Sequence, residues 1–466
     1  MQFIFHGTGT SSALPLVPCI TSSPNVSEIK CRCCREAVTW MSNPSDEEED
    51  KTARVDGGWK NKRGNTSGIL RKRGEDGEWR TIVIDVGKTF RDQASWLFRK
   101  HQIRRIDAVI LTHGHADAIA GLGTPSYPSP SPHTKPFPYF WIDDLRAFTA
   151  PPSPQAGQVI PIYLSRTALD AVGQQFPYLV DKSQATGGGD VPSLVWRVFD
   201  DPDEEMDGEG FDVCGVKVVP LPVHHGKYFT PPDKIERLDA PQLQTQPSTP
   251  PQAIQPASGG NRSSALDAIQ PSLSSLLARK MEESISETVP FYCHGFVFDG
   301  KLVYLSDISY IPSKTWNTMI RAIEPLVSRT NGTLSNDTIG RDKLPFPATA
   351  ASPAPGTLPC LILDCLRLEP HVSHLSFCQA LSVAQKLGAS ETFLVGFTHP
   401  ASHNEWEAAC KEVQGIRKEG EEQAFVDAVK KSAIKQGEVM DRAWEEARSW
   451  RGFVRPGFDG QVIEID

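Results

Sequence analysis

Two histidines and one aspartate stand close together in segment 111–117, directly after the apolar run Ala108–Ile110. They are His113, His115 and Asp117, in the order His-x-His-x-Asp. Two imidazoles and a carboxylate on the turn after a strand form a ligand set suited to Zn²⁺ and comparable transition metals. The cluster therefore predicts a metal centre at this turn.

A second group of candidate ligands is formed by Cys31, Cys33 and Cys34, three of the ten cysteines. Ten cysteines in 466 residues are too few for a dense disulfide framework, and residues 1–15 lack the regions of a secretory signal. No stretch approaches the roughly 18 consecutive apolar residues of a spanning helix. In such a chain the cluster suggests a metal more than a disulfide. We expect the protein in the cytosol, with the nucleus as a second location.

The elements that must position these residues are short apolar runs that end in a polar residue. Strands are predicted over 2–6, 81–85, 108–112, 159–164, 216–223, 295–307, 358–364 and 391–397. Helical patterns lie between some of them, over 90–101, 166–176, 313–323 and 375–387. Strands that alternate with helices favour an α/β protein whose sheets are covered by helices. Most strand ends carry a histidine or an aspartate, where α/β proteins build their sites: His6, Asp85, His113, Asp307, Asp364 and His399.

Five segments differ in composition from this framework and are predicted to be insertions in one large domain. They are 44–64, 123–138, 235–285, 329–357 and 404–450. Without them about 300 residues remain, enough for one large α/β domain. Segment 235–285 is rich in Pro, Gln and Ser and poor in aromatic residues, so we expect it to be disordered.

The charge of the chain limits its partners. It has 48 basic and 57 acidic residues, a formal net charge of −9. Coating nucleic acid or an anionic membrane requires a basic footprint. The balance therefore argues against nucleic acid and membrane as partners, although a local basic pocket remains compatible with it.

Further motifs, in order along most of the chain outside the insertions, resemble those of the metallo-β-lactamase fold superfamily. Besides 111–117 they are HGTGTSS at 6–12, IDVG at 84–87, VPLPVHHG at 219–226, LVYLSDI at 302–308 and VGFTH at 395–399. The resemblance implies a four-layer αββα sandwich, with Asp85 supporting the metal histidines. Asp307 would bridge two ions and His399 would bind the second. The full set of metal ligands that it implies is His113, His115, Asp117, His225, Asp307 and His399.

Three features more particularly resemble the phosphoribosyl cyclic phosphate phosphodiesterase group. Segment 142–146 (IDDLR) looks like a segment of that group, and its Asp143, Asp144 and Arg146 are candidates to support the metals or contact substrate. His374 precedes a predicted helix and matches a catalytic histidine that is not a metal ligand. The cysteine cluster and one further histidine resemble a separate structural zinc site, made of Cys31, Cys33, Cys34 and His403.

The chain departs from the family pattern at two places. Ala118 stands where the metal motif usually has a second histidine after the aspartate. The second metal then keeps Asp117, Asp307 and His399, and it either binds more weakly or recruits Asp143 or Asp144. The cysteines are spaced Cys-x-Cys-Cys rather than Cys-x-Cys-x-x-Cys, which leaves room for one of the three to be a bystander.

The resemblance implies a metal-dependent hydrolase, and within the group a phosphodiesterase acting on a small cyclic phosphate or nucleotide-like ester. One or two Zn²⁺ or Mn²⁺ ions would supply a metal-bound hydroxide near neutral pH. His374 would protonate the departing alkoxide as general acid, and Asp117 is the other predicted catalytic residue. Three alternatives stay open: a nuclease of the tRNA 3′-processing type, a thioester or lactone hydrolase, and a non-catalytic metal-binding protein.

Overall fold

The computed structural model describes thirteen parts of the chain: 1–42, 58–122, 145, 157–184, 194–200, 210–227, 289–323, 344–347, 350–353, 357–437, 441, 444–446 and 452–466. Met1–Gly226 and Tyr292–Asp466 form one compact unit, and Lys227–Phe291 form a second. Almost all of the second unit lies outside the described residues. The predicted insertions 123–138 and 235–285 lie outside them too, and so does the disorder prediction for 235–285. The first unit contains both sheets described below.

The described strands form two seven-stranded sheets. The order in the first sheet is β14-β1-β2-β3-β4-β5-β6, and in the second β13-β12-β11-β10-β9-β8-β7. In chain order the strands are β1 Gln2–Gly7, β2 Ser67–Arg73, β3 Trp79–Ile84, β4 Ala108–Ile110, β5 Ile160–Leu164, β6 Leu194–Val198, β7 Phe211–Val213, β8 Val216–Lys227, β9 Pro290–Phe298, β10 Leu302–Leu305, β11 Cys360–Asp364, β12 Glu391–Val395, β13 Phe453–Pro456 and β14 Val462–Glu464.

The helices described in the structure connect or cover these strands. They are α1 Val17–Ile20, α2 Arg32–Ser42, α3 Phe90–Lys100, α4 Ala116–Ile119, α5 Arg166–Gln175, α6 Pro177–Val180, α7 Ser313–Ile323, α8 Phe377–Leu387, α9 His403–Val413 and α10 Gln423–Lys435. Three short 3₁₀ helices cover Val26–Glu28, Gly58–Asn61 and Lys182–Gln184. Among the described residues, no helix combines the length and apolar character needed to cross a membrane.

Three apolar cores separate four layers. The central core contains residues of both sheets, so the two sheets face each other. A second core joins the first sheet to α3 and α5, and a third joins the second sheet to α7, α8 and α9. This is the α/β sandwich with helices outside and sheets inside that the sequence predicted.

The inner strands, such as β4, β10 and β11, read as nearly continuous apolar runs because both of their faces are buried. In β1, Phe3 and Phe5 point into the core between the sheets, whereas Ile4 points into the core beneath the helices. Val83 in β3 and Val109 in β4 face the same helices as Ile4. The alternation follows from the two-residue repeat of a strand. It fixes which side chains are available at each strand end.

The predicted strand 295–307 is wrong, because the structure has two antiparallel strands there, β9 and β10. Asp299 and Gly300 both have positive φ, 50° and 68°, and the Lys301 N–H donates to the Phe298 carbonyl at 2.9 Å. Positive φ at both central residues is the geometry of a tight hairpin, and Asp-Gly is one of its strongest sequence signals. The turn reverses the chain so that β10 runs parallel to β11.

Candidate active site

Three histidine rings meet at the ends of β4 and β8. The ring centroids of His113 and His115 lie 4.6 Å apart, and that of His225 lies 5.2 and 5.3 Å from them. One nitrogen of each ring lies within 4.8 Å of the others. Burial lowers the pKa of His113 well below its ordinary value and that of His225 to about 4, so both rings are neutral. Neutral imidazole is the form that binds a metal.

Asp85 reaches His113 through the hydroxyl of Thr112. The Asp85 carboxylate accepts hydrogen bonds from the Thr112 N–H and the Thr112 hydroxyl, both at 2.8 Å. Thr112 Oγ1 also lies 2.8 Å from His113 Nδ1. Because the hydroxyl hydrogen is directed to the carboxylate, the oxygen accepts from Nδ1–H, and the lone pair of the ring then lies on Nε2. This is how outer groups orient a metal-binding histidine.

His225 is oriented in the same way by a backbone group. Its Nδ1–H donates to the carbonyl oxygen of Ser373 at 2.8 Å, which also leaves Nε2 as the lone-pair nitrogen. Gly226 follows with φ of 76°, and a Cβ there would lie 3.0 Å from Ser373 Cβ. Glycine therefore permits the close approach of β8 to the segment before α8.

Two carboxylates stand beside the histidines. Asp307 follows β10 and is buried, and one of its oxygens lies within 4.8 Å of ring nitrogens of His113 and His225. Burial disfavours ionised Asp307, but electrostatic attraction by the surrounding histidines, among them the protonated His374, outweighs it and lowers the Asp307 pKa. Asp117 Oδ1 lies 4.0 Å from His113 Nε2, and burial together with Asp307 raises the Asp117 pKa.

His374 and Asp364 form a hydrogen-bonded pair next to this group. His374 Nδ1 lies 3.0 Å from Asp364 Oδ1, and the other carboxylate oxygen accepts from the Leu375 N–H at 2.7 Å. The ring centroids of His374 and His225 are 4.8 Å apart. Burial disfavours imidazolium, but Asp364 outweighs it and raises the pKa of His374 to about 9. At neutral pH His374 therefore carries a proton.

The cysteine cluster has a different membership from the one predicted. Cys19, Cys31, Cys34 and His399 each place a ligand atom within 4.8 Å of the others. His399 Nδ1 lies 3.4 Å from the Sγ atoms of both Cys19 and Cys31. A hydrogen bond from Cys34 lowers the pKa of Cys31 to about 5, so a thiolate is present at neutral pH. The structure thus brings His399 to sulfur and not to Asp117 and Asp307.

Cys33 and His403 lie outside this cluster. The Cys33 thiol donates to Asn61 Oδ1 at 3.6 Å, and burial raises its pKa to about 12. His403, the first residue of α9, donates its N–H to the same oxygen at 2.6 Å, and its Nδ1 lies 3.1 Å from Arg63 Nη2. Neighbouring residues 33 and 34 project from different sides of α2, so only one of them can reach His399.

The sequence analysis missed three groups that the structure places at these sites. Cys19 carried no local motif, although the Cys-x-x-Cys spacing of Cys31 and Cys34 was a signal for those two residues. Thr112 was not singled out, and Asp364 was placed at a strand end without a partner. The predicted Asp143, Asp144 and Arg146 lie outside the described residues.

The chain is similar to several known proteins. Residues 80–134 match the family model described as "Beta-lactamase superfamily domain". A diphosphatase from the PhnP family is 17% identical over 100% of this chain and 98% of its own, with a TM-score of 0.48. YhfI from Bacillus subtilis, a metallo-beta-lactamase fold protein, is 14% identical over 86% of this chain and 92% of its own, with a TM-score of 0.39. The long form of RNase Z from yeast is 11% identical over 99% of this chain and 41% of its own, with a TM-score of 0.38. No curated protein matches the chain significantly.

The matched segment 80–134 contains β3, β4 and the His-x-His-x-Asp motif. With the two facing sheets and the outer helices, it confirms the resemblance to the metallo-β-lactamase fold superfamily. Proteins with this fold are typically metal-dependent hydrolases. The His/Asp groups at the strand ends have the composition of a divalent metal centre.

Proposed function

We propose that the chain is a metal-dependent phosphodiesterase that hydrolyses a small cyclic phosphate or a nucleotide-like ester. The observation that carries the proposal is the contact between the histidine group and the His374–Asp364 pair, where His225 and His374 lie 4.8 Å apart. The candidate metal ligands and the protonated imidazole of His374 are therefore neighbours. Hydrolysis of a phosphodiester requires both an activated water and a proton for the leaving alkoxide.

The donor set fits one Zn²⁺ or Mn²⁺ ion. His113, His115 and His225 would hold it, with Asp307 as the adjacent carboxylate, because the outer hydrogen bonds leave Nε2 of both His113 and His225 as the donor. When bound, a divalent cation supplies an activated water near neutral pH and offsets charge on phosphate oxygens. Asp117, whose Oδ1 lies 4.0 Å from His113 Nε2, would accept a hydrogen bond from a water molecule at this centre.

His374 supplies the proton in the proposed reaction. The oxygen of a water molecule bonds to phosphorus as one proton of that water passes to solvent, the bond from phosphorus to the ester oxygen breaks, and the Nε2 proton of His374 moves to the departing alkoxide. Asp364 keeps the imidazole oriented and stabilises its positive charge before transfer. The result is a phosphate monoester and a free hydroxyl, which stay in one molecule when the substrate is a cyclic phosphate, and solvent returns a proton to His374.

Two positive groups near the carboxylates support an anionic substrate. His374 carries a proton at neutral pH, and the exposed ammonium of Lys88 interacts electrostatically with Asp117. The net charge of −9 gives no general attraction for a polyanion such as RNA. These features favour a small phosphate ester over a nucleic acid as the substrate.

The Cys19, Cys31, Cys34 and His399 cluster is proposed to hold a structural Zn²⁺. Bond lengths of about 2.3 Å to sulfur and about 2.0 Å to nitrogen in a tetrahedron place those ligand atoms roughly 3.5 Å apart. The two observed sulfur–nitrogen distances of 3.4 Å fit this value. Such an ion would join the segment of α1 and α2 to the loop before α9 and would contribute folding energy.

A substrate panel tests the proposal. The full chain, reconstituted with Zn²⁺ or Mn²⁺, is assayed with bis(para-nitrophenyl) phosphate, ribose cyclic phosphates, a precursor tRNA, a thioester and a lactone. We expect turnover of the aryl diester and of at least one cyclic phosphate. Turnover of only the thioester or the lactone, or cleavage of only the precursor tRNA, would contradict the proposal.

His115, a member of the three-histidine group, and His224, the neighbour of His225 on β8, provide a test variant and a matched control. His115→Ala should lose the metal of this centre together with activity. His224→Ala should keep both, because the His224 ring packs against Tyr292 and Tyr310. Equal activity of the two variants would show that the histidine group does not carry the reaction.

A further inference from the structure

The two-ion centre that the resemblance implies needs two histidines for its second ion, and this chain provides neither of them at the centre. At the position where the resemblance calls for a second histidine after Asp117, the chain has Ala118. Its methyl group is buried among apolar residues of the core under α3 and α5, with 2% exposure. Its N–H donates to the His115 carbonyl, and its carbonyl accepts from Val86. Position 118 therefore offers no donor to a metal.

The histidine that should complete the second site is His399, and it lies with the sulfur atoms. Its Nδ1 is 3.4 Å from Cys19 Sγ and from Cys31 Sγ, and Cys31 Sγ also lies 3.3 Å from the His399 carbonyl oxygen. Two contacts to the ring and one to the backbone hold this residue at the cysteine cluster. Within the described ranges, the groups of three or more ligand atoms that contain His399 include only cysteines besides it.

The carboxylates that remain cannot form a second site by themselves. Asp117 and Asp307 come together with His113, and Asp307 comes together with His225 and His374, so each group shares a histidine with the three-histidine group. A transition metal bound at a catalytic site normally takes three protein ligands. Without the shared histidine, each of these two groups keeps only two ligands, which is fewer than this number.

We propose that the catalytic centre of this chain holds one divalent metal ion, because the imidazole of the second site is committed to the cysteine cluster. This inference rests on the proposed function, which makes the three-histidine group a catalytic centre. It departs from the two-ion arrangement that the resemblance implies. Asp117 is then a hydrogen-bonding group beside a single ion. The ammonium of Lys88 interacts electrostatically with this carboxylate.

Metal counting on the full chain tests this inference. Protein loaded with excess Zn²⁺ and freed of unbound metal is analysed by native mass spectrometry and elemental analysis. We expect two ions in the wild type, and one in Cys31→Ser and in His399→Ala. The double variant should also retain one, because both residues bind the same ion. His403→Ala is the matched control and should retain two.

Three results would overturn the proposal: three ions in the wild type, two ions in Cys31→Ser, or fewer ions in the double variant than in either single variant. Ligation by Asp143 or Asp144, which lie outside the described residues, would appear as the first of these.

A second measurement avoids variants that fail to fold. Wild-type protein with Zn²⁺ at the cysteines is titrated with Mn²⁺ and followed by electron paramagnetic resonance. The spectrum of an isolated Mn²⁺ is expected at saturation, whereas an exchange-coupled pair would refute a one-ion centre. Phosphodiesterase assays separate the two proposals. One ion without turnover of any phosphodiester would reject only the function, and coupled ions with turnover would reject only the single-ion centre.

Discussion

Replacing Asp364 by Asn should remove the proton from His374 while leaving the shape of the site unchanged. Asp364 is fully buried, and its two oxygens bind His374 Nδ1 and the Leu375 N–H. Asn keeps an oxygen for the Leu375 N–H. Its amide nitrogen then faces His374 Nδ1, which must accept rather than donate a hydrogen bond. The variant therefore loses the negative charge and favours neutral His374.

The magnitude follows from the pKa of His374, which is raised from 6.5 to about 9. At about 1.4 kcal/mol per pH unit, the shift corresponds to about 3 kcal/mol in favour of imidazolium. Without the carboxylate the pKa returns to its ordinary value or below, because burial still disfavours the charge. At pH near 7.5 the protonated fraction then falls to about a tenth or less. Activity that depends on the proton should fall at least about tenfold.

The assay compares two leaving groups at constant metal loading. A ribose cyclic phosphate departs as an alkoxide and needs protonation, whereas para-nitrophenolate leaves well without it. Asp364→Asn should therefore reduce kcat/KM strongly for the cyclic phosphate and only slightly for bis(para-nitrophenyl) phosphate. Equal losses with both substrates would refute the assignment of His374 as general acid. Thermal unfolding and metal content measured on the same preparation control for damage to the fold.

Three further predictions concern pH, the metal histidines and the cysteines. Because a general acid must be protonated to act, activity on the cyclic phosphate should persist below pH 9 and fall as the pH rises through about 9. His374→Ala should lower the rate about 10²–10⁴-fold and abolish this alkaline decrease. An unchanged pH profile in the variant would reject His374 as the general acid. Thr112→Val should weaken metal binding about 10–100-fold in competition with a chelator, because His113 loses the hydroxyl that orients it, and Thr112→Ser should restore it; equal affinities would exclude that orienting role. Cys31→Ser should lower the melting temperature and cost one zinc ion, whereas Cys33→Ser should keep the zinc, and identical zinc content in the two would contradict the observed cluster.

The sequence by itself determined the layers and the local grouping of His113, His115 and Asp117. Segments such as 81–85 and 108–112 are apolar because these strands are buried on both faces. Each run ends where a polar residue reaches the site. The spacing of His113, His115 and Asp117 is local, so one turn after β4 brings these side chains together whatever the rest of the chain does. The same holds for the helix ends, where Ser376 and Ser402 form capping boxes with Gln379 and Glu405.

Only the tertiary structure decided which distant residues share a site. His399 stands 368 residues from Cys31 in the chain, and nothing in either local pattern shows that the two meet at 3.4 Å. Local spacing favoured Cys33 over Cys19, but the direction in which α2 projects its side chains brings Cys34 to the cluster and turns Cys33 toward Asn61. Asp364 and His374 are likewise joined by the return of the chain after β11. Packing of the two sheets fixes these pairs, because side-chain direction and distance are set by elements far apart in sequence.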